Sequence, residues 1–251
     1  MVTILPVGRK ERLDVVLAGR GLAPSRARAQ ALILAGRVTV EGQVATKAGA
    51  QVSPDVEIEV LGPEHPWVSR GGIKLAAALD AFDLSPMGLD CLDVGASTGG
   101  FTDVLLDRGA RRVIALDVGR GQLDWRLRND PRVVVMEGVN ARLLDTVELP
   151  CAVELATVDV SFISLRLVVP AVLTHLADGA VVVCLIKPQF EAGRELVGKG
   201  GIVRDEAVRR RTIDETVRSL EVLGLVFIGA VPSPIRGQKG NLEELAVFRW
   251  K

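Results

Sequence analysis

Asp93-Val94-Gly95-Ala96-Ser97-Thr98-Gly99-Gly100-Phe101 joins an apolar run over residues 89–94 to an amphipathic run over 101–108. Glycines between two such runs predict a β-strand, a tight turn and an α-helix. Turns of this kind bring ligands against backbone N–H groups, so the stretch is a candidate small-ligand loop. It is not a dinucleotide fingerprint. Gly95 and Gly100 fill the first and third glycine positions, but Ser97 stands where the second glycine lets a pyrophosphate approach. Asp93, just before the turn, repels phosphate and attracts a cation, which selects for a ligand with a positive centre. By itself the loop also fits a packed turn that binds nothing.

The 251-residue chain is 48% hydrophobic and 25% charged, ordinary usage for a globular protein with room for two modest domains. Lysine plus arginine and aspartate plus glutamate are 31 each, so global charge argues for neither nucleic acid nor a membrane surface. Any basic face has to be local. Cys91, Cys151 and Cys184 lie far apart with no metal-ligand spacing and in an odd number, which reads as free thiols in a reducing compartment. Residues 1–10 lack the apolar core and cleavage site of a secretion signal, and the longest apolar run, 180–186, is too short to span a bilayer. A cytoplasmic protein with no membrane partner is expected. No motif speaks to oligomeric state.

Residues 9–62 differ in texture from the rest. Leu13, Val16 and Leu17 predict a short amphipathic helix closed by Gly19 and Gly21, and Ser25 caps a second helix over 26–35 that Gly36 stops. Val38-Thr39-Val40 alternates into a Glu41-Gly42 turn, 43–45 returns, and 56–61 reads as a half-buried strand. Arg20, Arg26, Arg28 and Arg37 gather on or beside the second helix, whereas Asp55, Glu57 and Glu59 fall in the last strand. One face is therefore basic, although charge alone does not separate it from an ordinary solvated face. Gly62-Pro63-Glu64-His65-Pro66-Trp67-Val68 has two prolines and no periodicity. It divides the chain into a small α+β domain over 1–62, a linker over 63–68 and a larger domain over 69–251. Trp67 is expected to pack against one of the domains.

From Ser69 onward strands and helices alternate, the pattern of a doubly wound α/β sheet. A helix is predicted over 73–82, strands over 89–94, 113–116, 133–136, 155–158, 180–186, 225–231 and 244–250, and further helices over 165–176 and 205–223. Ligands of open α/β sheets bind outside the carboxyl ends of the strands. There stand Asp93, Asp117, Asn140, Asp159 and Lys187, one for each successive strand. Asp117 follows Gly95 by 22 positions, close to the spacing at which a carboxylate takes ribose hydroxyls, and Asn140 is placed to read an adenine edge. A nucleoside with a cationic centre is S-adenosylmethionine. The candidate cofactor-binding set is Asp93, Gly95, Ala96, Ser97, Thr98, Gly99, Gly100 and Phe101 of the loop with Asp117 and Asn140. If the last strand runs antiparallel, Glu243 joins the same edge. Lys74 lies in the first turn of its helix, where a cation is unfavourable against the helix dipole and wants another reason to be there.

Two further features are decoys. Gly193-Arg194-Glu195-Leu196-Val197-Gly198-Lys199 has the spacing of a nucleoside-triphosphate loop, but Gly200 stands where a hydroxyl must hold magnesium; it reads better as a mobile loop over the active edge. His65 and His175 belong to no triad and no metal cluster.

Pro24-Ser25-Arg26-Ala27-Arg28-Ala29-Gln30 and Gly36-Arg37-Val38-Thr39-Val40-Glu41-Gly42 resemble the small RNA-binding domain shared by ribosomal small-subunit protein four and many RNA-modifying enzymes. Ser69-Arg70-Gly71-Gly72-Ile73-Lys74-Leu75, the loop 93–101, Asp159-Val160-Ser161-Phe162-Ile163-Ser164-Leu165, Ile186-Lys187-Pro188-Gln189-Phe190-Glu191 and Gly240-Asn241-Leu242-Glu243 resemble the TlyA (hemolysin A) family, whose catalytic domain is similar to the FtsJ-like enzymes. The resemblance implies a Rossmann-like class I methyltransferase with a mostly parallel seven-stranded sheet, using S-adenosylmethionine to methylate cytidine ribose 2′-hydroxyls of ribosomal RNA within a ribosomal subunit. It implies a catalytic tetrad of Lys74, Asp159, Lys187 and Glu243, no metal, and RNA contacts from Arg20, Arg26, Arg28, Arg37 and Arg70. The linker departs from the family pattern, with His65 where an arginine is usual. Two other classes stay open: an RNA-binding protein without catalysis, and a membrane-active protein as the hemolysin name implies. Lys187 is open between general base and hydrogen-bonding guide, because burial beside a second ammonium favours the neutral amine and the carboxylates favour the charged one.

Overall fold

The computed structural model describes residues 10–34, 36–61 and 65–251, in two units divided between Glu64 and His65. The start of the chain, the expected helix end at Ala35 and residues 62–64 of the expected boundary lie outside the described residues. In the first unit, β1 (Glu11–Arg12) leads into α1 (Leu13–Gly19) and α2 (Arg26–Leu34), followed by β2 (Val38–Val40), β3 (Gln43–Val44), β4 (Gln51–Val52) and β5 (Ile58–Val60). Strand β2 lies at the centre of an antiparallel sheet in the order β3-β2-β5, and β1 pairs with β4. The apolar stripe Leu13, Leu17, Ala29 and Ile33 closes on Val38 to form its core. Each strand of the β1–β4 ladder has only two residues, too few to leave a periodic signal.

The second unit begins with α3 (Gly71–Ala81), followed by β6 (Asp90–Val94), α4 (Gly100–Asp107), β7 (Arg112–Asp117), α5 (Trp125–Arg128), β8 (Val133–Glu137), β9 (Val153–Val158) and α6 (Leu165–Leu173). It continues through β10 (Leu176–Ile186), α7 (Pro188–Glu191), α8 (Glu206–Glu221), β11 (Val226–Pro232) and β12 (Glu244–Arg249). The seven strands run in the order β11-β12-β10-β9-β6-β7-β8, all parallel except β12, which is antiparallel to both neighbours. Parallel central strands are covered on both faces, so they need apolar residues at every position. Leu92 and Val94 of β6 accordingly pack with α6 and α8, whereas Cys91 packs with α3 and α4. Each fully buried Leu or Val contributes about 1.5–3 kcal/mol. Helix α6 ends three residues earlier than the sequence predicts, because Leu176 pairs with Val153 and opens β10. Trp67 and Val68, expected in the linker, pack against the α3–α4 core of the second unit.

Helices α3 and α4 cross where neither has a side chain to spare. A Cβ at Gly100 would stand 3.0 Å from the Gly72 nitrogen and 3.2 Å from the Gly71 Cα. Backbone atoms cannot step aside as a side chain can, so Gly100→Ala is expected to lower stability by about 1–3 kcal/mol, read as a lower denaturant midpoint at unchanged slope.

Candidate active site

The carboxyl ends of the parallel strands enclose a cavity of about 780 Å³. Lys74, Asp117, Asn140, Asp159, Lys187 and Glu243 all line it. Strand β12 is what delivers Glu243: Glu244 is in register with Ile186, so the residue before it stands beside Lys187. Lys74 Nζ donates to Glu243 Oε2 at 2.6 Å, and both side chains are buried. This ion pair supplies the reason for a lysine in the first turn of α3. Gly237 makes room for the carboxylate, since a Cβ there would fall 2.0 Å from Glu243 Oε1.

Lys187 Nζ lies 2.5 Å from Asp159 Oδ1 as an ion pair, while its hydrogen bond goes to Ser161 Oγ at 2.8 Å. Asp159 Oδ1 has that ammonium as its contact and no other partner among the described residues. Gln189 Nε2 donates to Glu243 Oε1 at 3.4 Å, and its buried Oε1 is unpaired. Two ammonium groups, two carboxylates and a carboxamide thus face one space.

At the cavity's other end only Gly95 and Ser97 of the loop reach the wall. Gly95 has φ +87°, and a Cβ there would stand 2.3 Å from the Asp159 carbonyl, so the two strand ends meet only because this residue has no side chain. Asp117 accepts from the Ser97 nitrogen at 2.8 Å and the Gly119 nitrogen at 2.7 Å. Asn140 caps the turn after β8 by accepting from the Arg142 nitrogen at 3.1 Å. Ala96, Thr98, Gly99, Gly100 and Phe101 do not line the cavity; Ala96 and Phe101 belong to the α3–α4 core, and Gly99 packs on Leu123 and Leu127.

Asp93 also stands elsewhere than expected. It is fully buried beneath the loop, accepting from Thr102 Oγ1 at 2.7 Å and Thr157 Oγ1 at 3.0 Å. Burial pushes its carboxyl up to about 6, against the lowering effect of the two hydroxyls. It braces the loop rather than facing a ligand.

Sequence reasoning did not single out Ser161, Phe162, Gln189, Phe190, Lys239 or Asn241, all at the cavity wall. All but Lys239 lie inside three of the quoted motifs, which was the available signal. Phe162 is 87% exposed at φ +64°, an arrangement that costs a bulky residue roughly 1–3 kcal/mol. Its ring lies 5.1 Å from that of Phe190. Glu191 ties this loop to α7 by accepting from Ser164 Oγ at 2.6 Å and the Leu165 nitrogen at 2.8 Å, and burial pushes its carboxyl up. The 193–200 loop forms a small hairpin, with Gly198 bridged to Ile202 and Gly201 at the cavity wall.

In the first unit the arginines are partly committed to scaffolding. Asp14 is buried and accepts from Arg12, from Arg26 at 2.9 Å and from Gln30 at 2.6 Å; chiefly the Arg12 hydrogen bond holds its carboxyl well below the usual range. Arg20 donates to the Val56 and Pro54 carbonyls, and Arg37 to that of Leu61 at 2.6 Å. The Arg28 guanidinium makes no hydrogen bond or ion pair with the described residues. Arg70, in the second unit, is exposed just before α3.

Residues 67–250 match the FtsJ-like methyltransferase family, and residues 11–58 the S4 domain. The 16S/23S rRNA (cytidine-2′-O)-methyltransferase TlyA of Mycobacterium tuberculosis is 48% identical over 97% of this chain and 90% of its own length. The chain belongs to the TlyA family of FtsJ-like methyltransferases. Hemolysin A of Brachyspira hyodysenteriae is 42% identical over 94% of this chain and 99% of its own. A Streptococcus thermophilus structure that also goes by the hemolysin name is 42% identical, covers 97% of this chain and 89% of its own, and superposes with a TM-score of 0.76. No helix among the described residues of this TlyA-family chain is long and apolar enough to cross a membrane.

For this FtsJ-like domain the buried Asp93 sets a pH signature. Its folded pKa, about 6, lies above the ordinary value of 3.8, so between those values the folded state binds more protons than the unfolded one. Its contribution is therefore most favourable below pH ~4 and falls by up to ~3 kcal/mol as pH rises through 6. Chemical denaturation across this window is expected to show that loss, and Asp93→Asn to flatten it.

Proposed function

We propose that this FtsJ-like methyltransferase transfers a methyl group from S-adenosylmethionine to the ribose 2′-hydroxyl of cytidine in ribosomal RNA, within a ribosomal subunit in the cytoplasm. The observation that carries the reading is the pair of lysine–carboxylate contacts, Lys74–Glu243 and Lys187–Asp159, in the same cavity as Gly95, Ser97, Asp117 and Asn140. The activity carried in the name of the Mycobacterium tuberculosis relative, and the S4 match at residues 11–58, support the choice of substrate.

The residues present fit the methyl donor. Gly95 and Ser97 would take its amino-acid portion, Asp117 the ribose and Asn140 the adenine; bound there, it would supply an electrophilic methyl group on a sulfonium. The chain's own task is then positioning and the handling of one proton. Lys187, fixed by Asp159 and Ser161, addresses the 2′-hydroxyl. Lys74, held by Glu243, keeps a second cation beside it, and Gln189 tethers Glu243 from the other side. The exposed ring of Phe162, backed by the half-buried ring of Phe190 next to Lys187, offers a stacking surface for a nucleobase taken out of its helix. A strained, solvent-facing aromatic has no packing role of its own.

Lys187→Ala is expected to lower single-turnover methylation of ribosomal RNA by about 10²–10⁴-fold while binding S-adenosylmethionine as the parent does. Mapping 2′-O-methyl cytidines in ribosomal RNA from cells with and without the protein tests the substrate; an unchanged map would refute it. Phe162→Ala is expected to raise KM for RNA and leave methyl-donor affinity alone.

A further inference from the structure

We propose that this chain forms a two-fold dimer through the free edge of β11 and the adjoining face of α8. Strand β11 ends the sheet, pairing only with β12, and its seven residues, Val226-Phe227-Ile228-Gly229-Ala230-Val231-Pro232, include no charge. Soluble proteins usually guard such an edge with lysines, inward charges, proline, bulges or very short strands; β11 has Pro232 at its end and a bulge between Phe227 and Gly229, but no charge. Val226, Phe227 and Ile228 are exposed, as is Val222 at the end of α8.

The helix next to this edge identifies the partner. Arg210, Asp214, Arg218 and Glu221 of α8 are exposed and line a cleft with Phe227 and Ala230. Asp214, Arg218 and Glu221 have no ion-pair partner among the described residues, and the contact from Arg210 to Glu244 is long, at 3.7 Å. Read in one direction the charges are plus, minus, plus, minus; read in the other they are reversed. A two-fold axis through the middle of β11 would run two copies of α8 antiparallel on one face, setting Arg210 against Glu221 and Asp214 against Arg218. A surface that is its own complement fits a second copy of itself. Antiparallel pairing of the two β11 strands would satisfy their unpaired backbone groups and extend the sheet across the interface. The active cavity, at the carboxyl ends of the parallel strands, stays open.

Sedimentation velocity of the full chain over a range of concentrations should resolve a monomer–dimer equilibrium. Arg210→Glu, which sets like charges opposite each other twice per dimer, should weaken it by at least about tenfold, and adding Glu221→Arg should restore it. Ile228→Glu should abolish it, with circular dichroism confirming the fold. A monomer at every soluble concentration overturns the proposal. So does a dimer indifferent to Arg210→Glu and Ile228→Glu, and so does open-ended growth in mass, which a closed two-fold contact forbids.

Discussion

The ion pair between Lys74 and Glu243 joins a helix that precedes the sheet to the strand that ends it, across 169 residues of chain. Neither charge survives burial alone: removing one partner of such a pair typically costs about 3–5 kcal/mol. For the two to meet, β12 must run antiparallel between β10 and β11, and Gly237 must lack a side chain. The seven-stranded sheet's one departure from parallel order is thus tied to the ion pair at its edge. The second pair, Lys187–Asp159, needs only the ordinary parallel geometry of adjacent strands.

Around these pairs the site divides its labour between rigid and strained parts. The loop end rests on backbone geometry: Gly95 brings two strand ends together, and Asp117 fastens the loop to the next turn through two N–H groups. The lysine end rests on side chains held in unusual positions, above all Phe162, whose left-handed backbone persists because Glu191 clamps the loop behind it. Strain kept at one point and offset by a buried clamp is a common mark of functional sites.

Most of the sheet was legible because its strands are covered on both faces and so read as uninterrupted apolar runs. The edge positions of Asp117, Asn140, Asp159 and Lys187 followed from strand order, and Glu243 from supposing β12 antiparallel. Asp93 was not legible as a brace. It shares the inward-facing parity of Cys91, but at a strand's last turn sequence does not say whether a carboxylate reaches into the cavity or folds under the loop. Phe162 was hidden for another reason, since nothing in its neighbours announces a positive φ. Two-residue ladders such as β1–β4 arise from tertiary pairing alone.

The buried carboxylate of Asp14 changes what the S4 unit brings to RNA. Counting arginines gives a strongly basic face, but Arg12 and Arg26 share the single Asp14 carboxylate beneath them, which offsets one of their two charges. Binding to a phosphate backbone is driven largely by counterions released as phosphates are neutralised, with log K falling by roughly 0.7–0.9 per phosphate for each unit of log salt. An arginine that shares its charge with Asp14 releases little. The unit's hold on RNA should therefore respond to salt less steeply than its arginine content implies, leaving shape and hydrogen bonding a larger share of recognition.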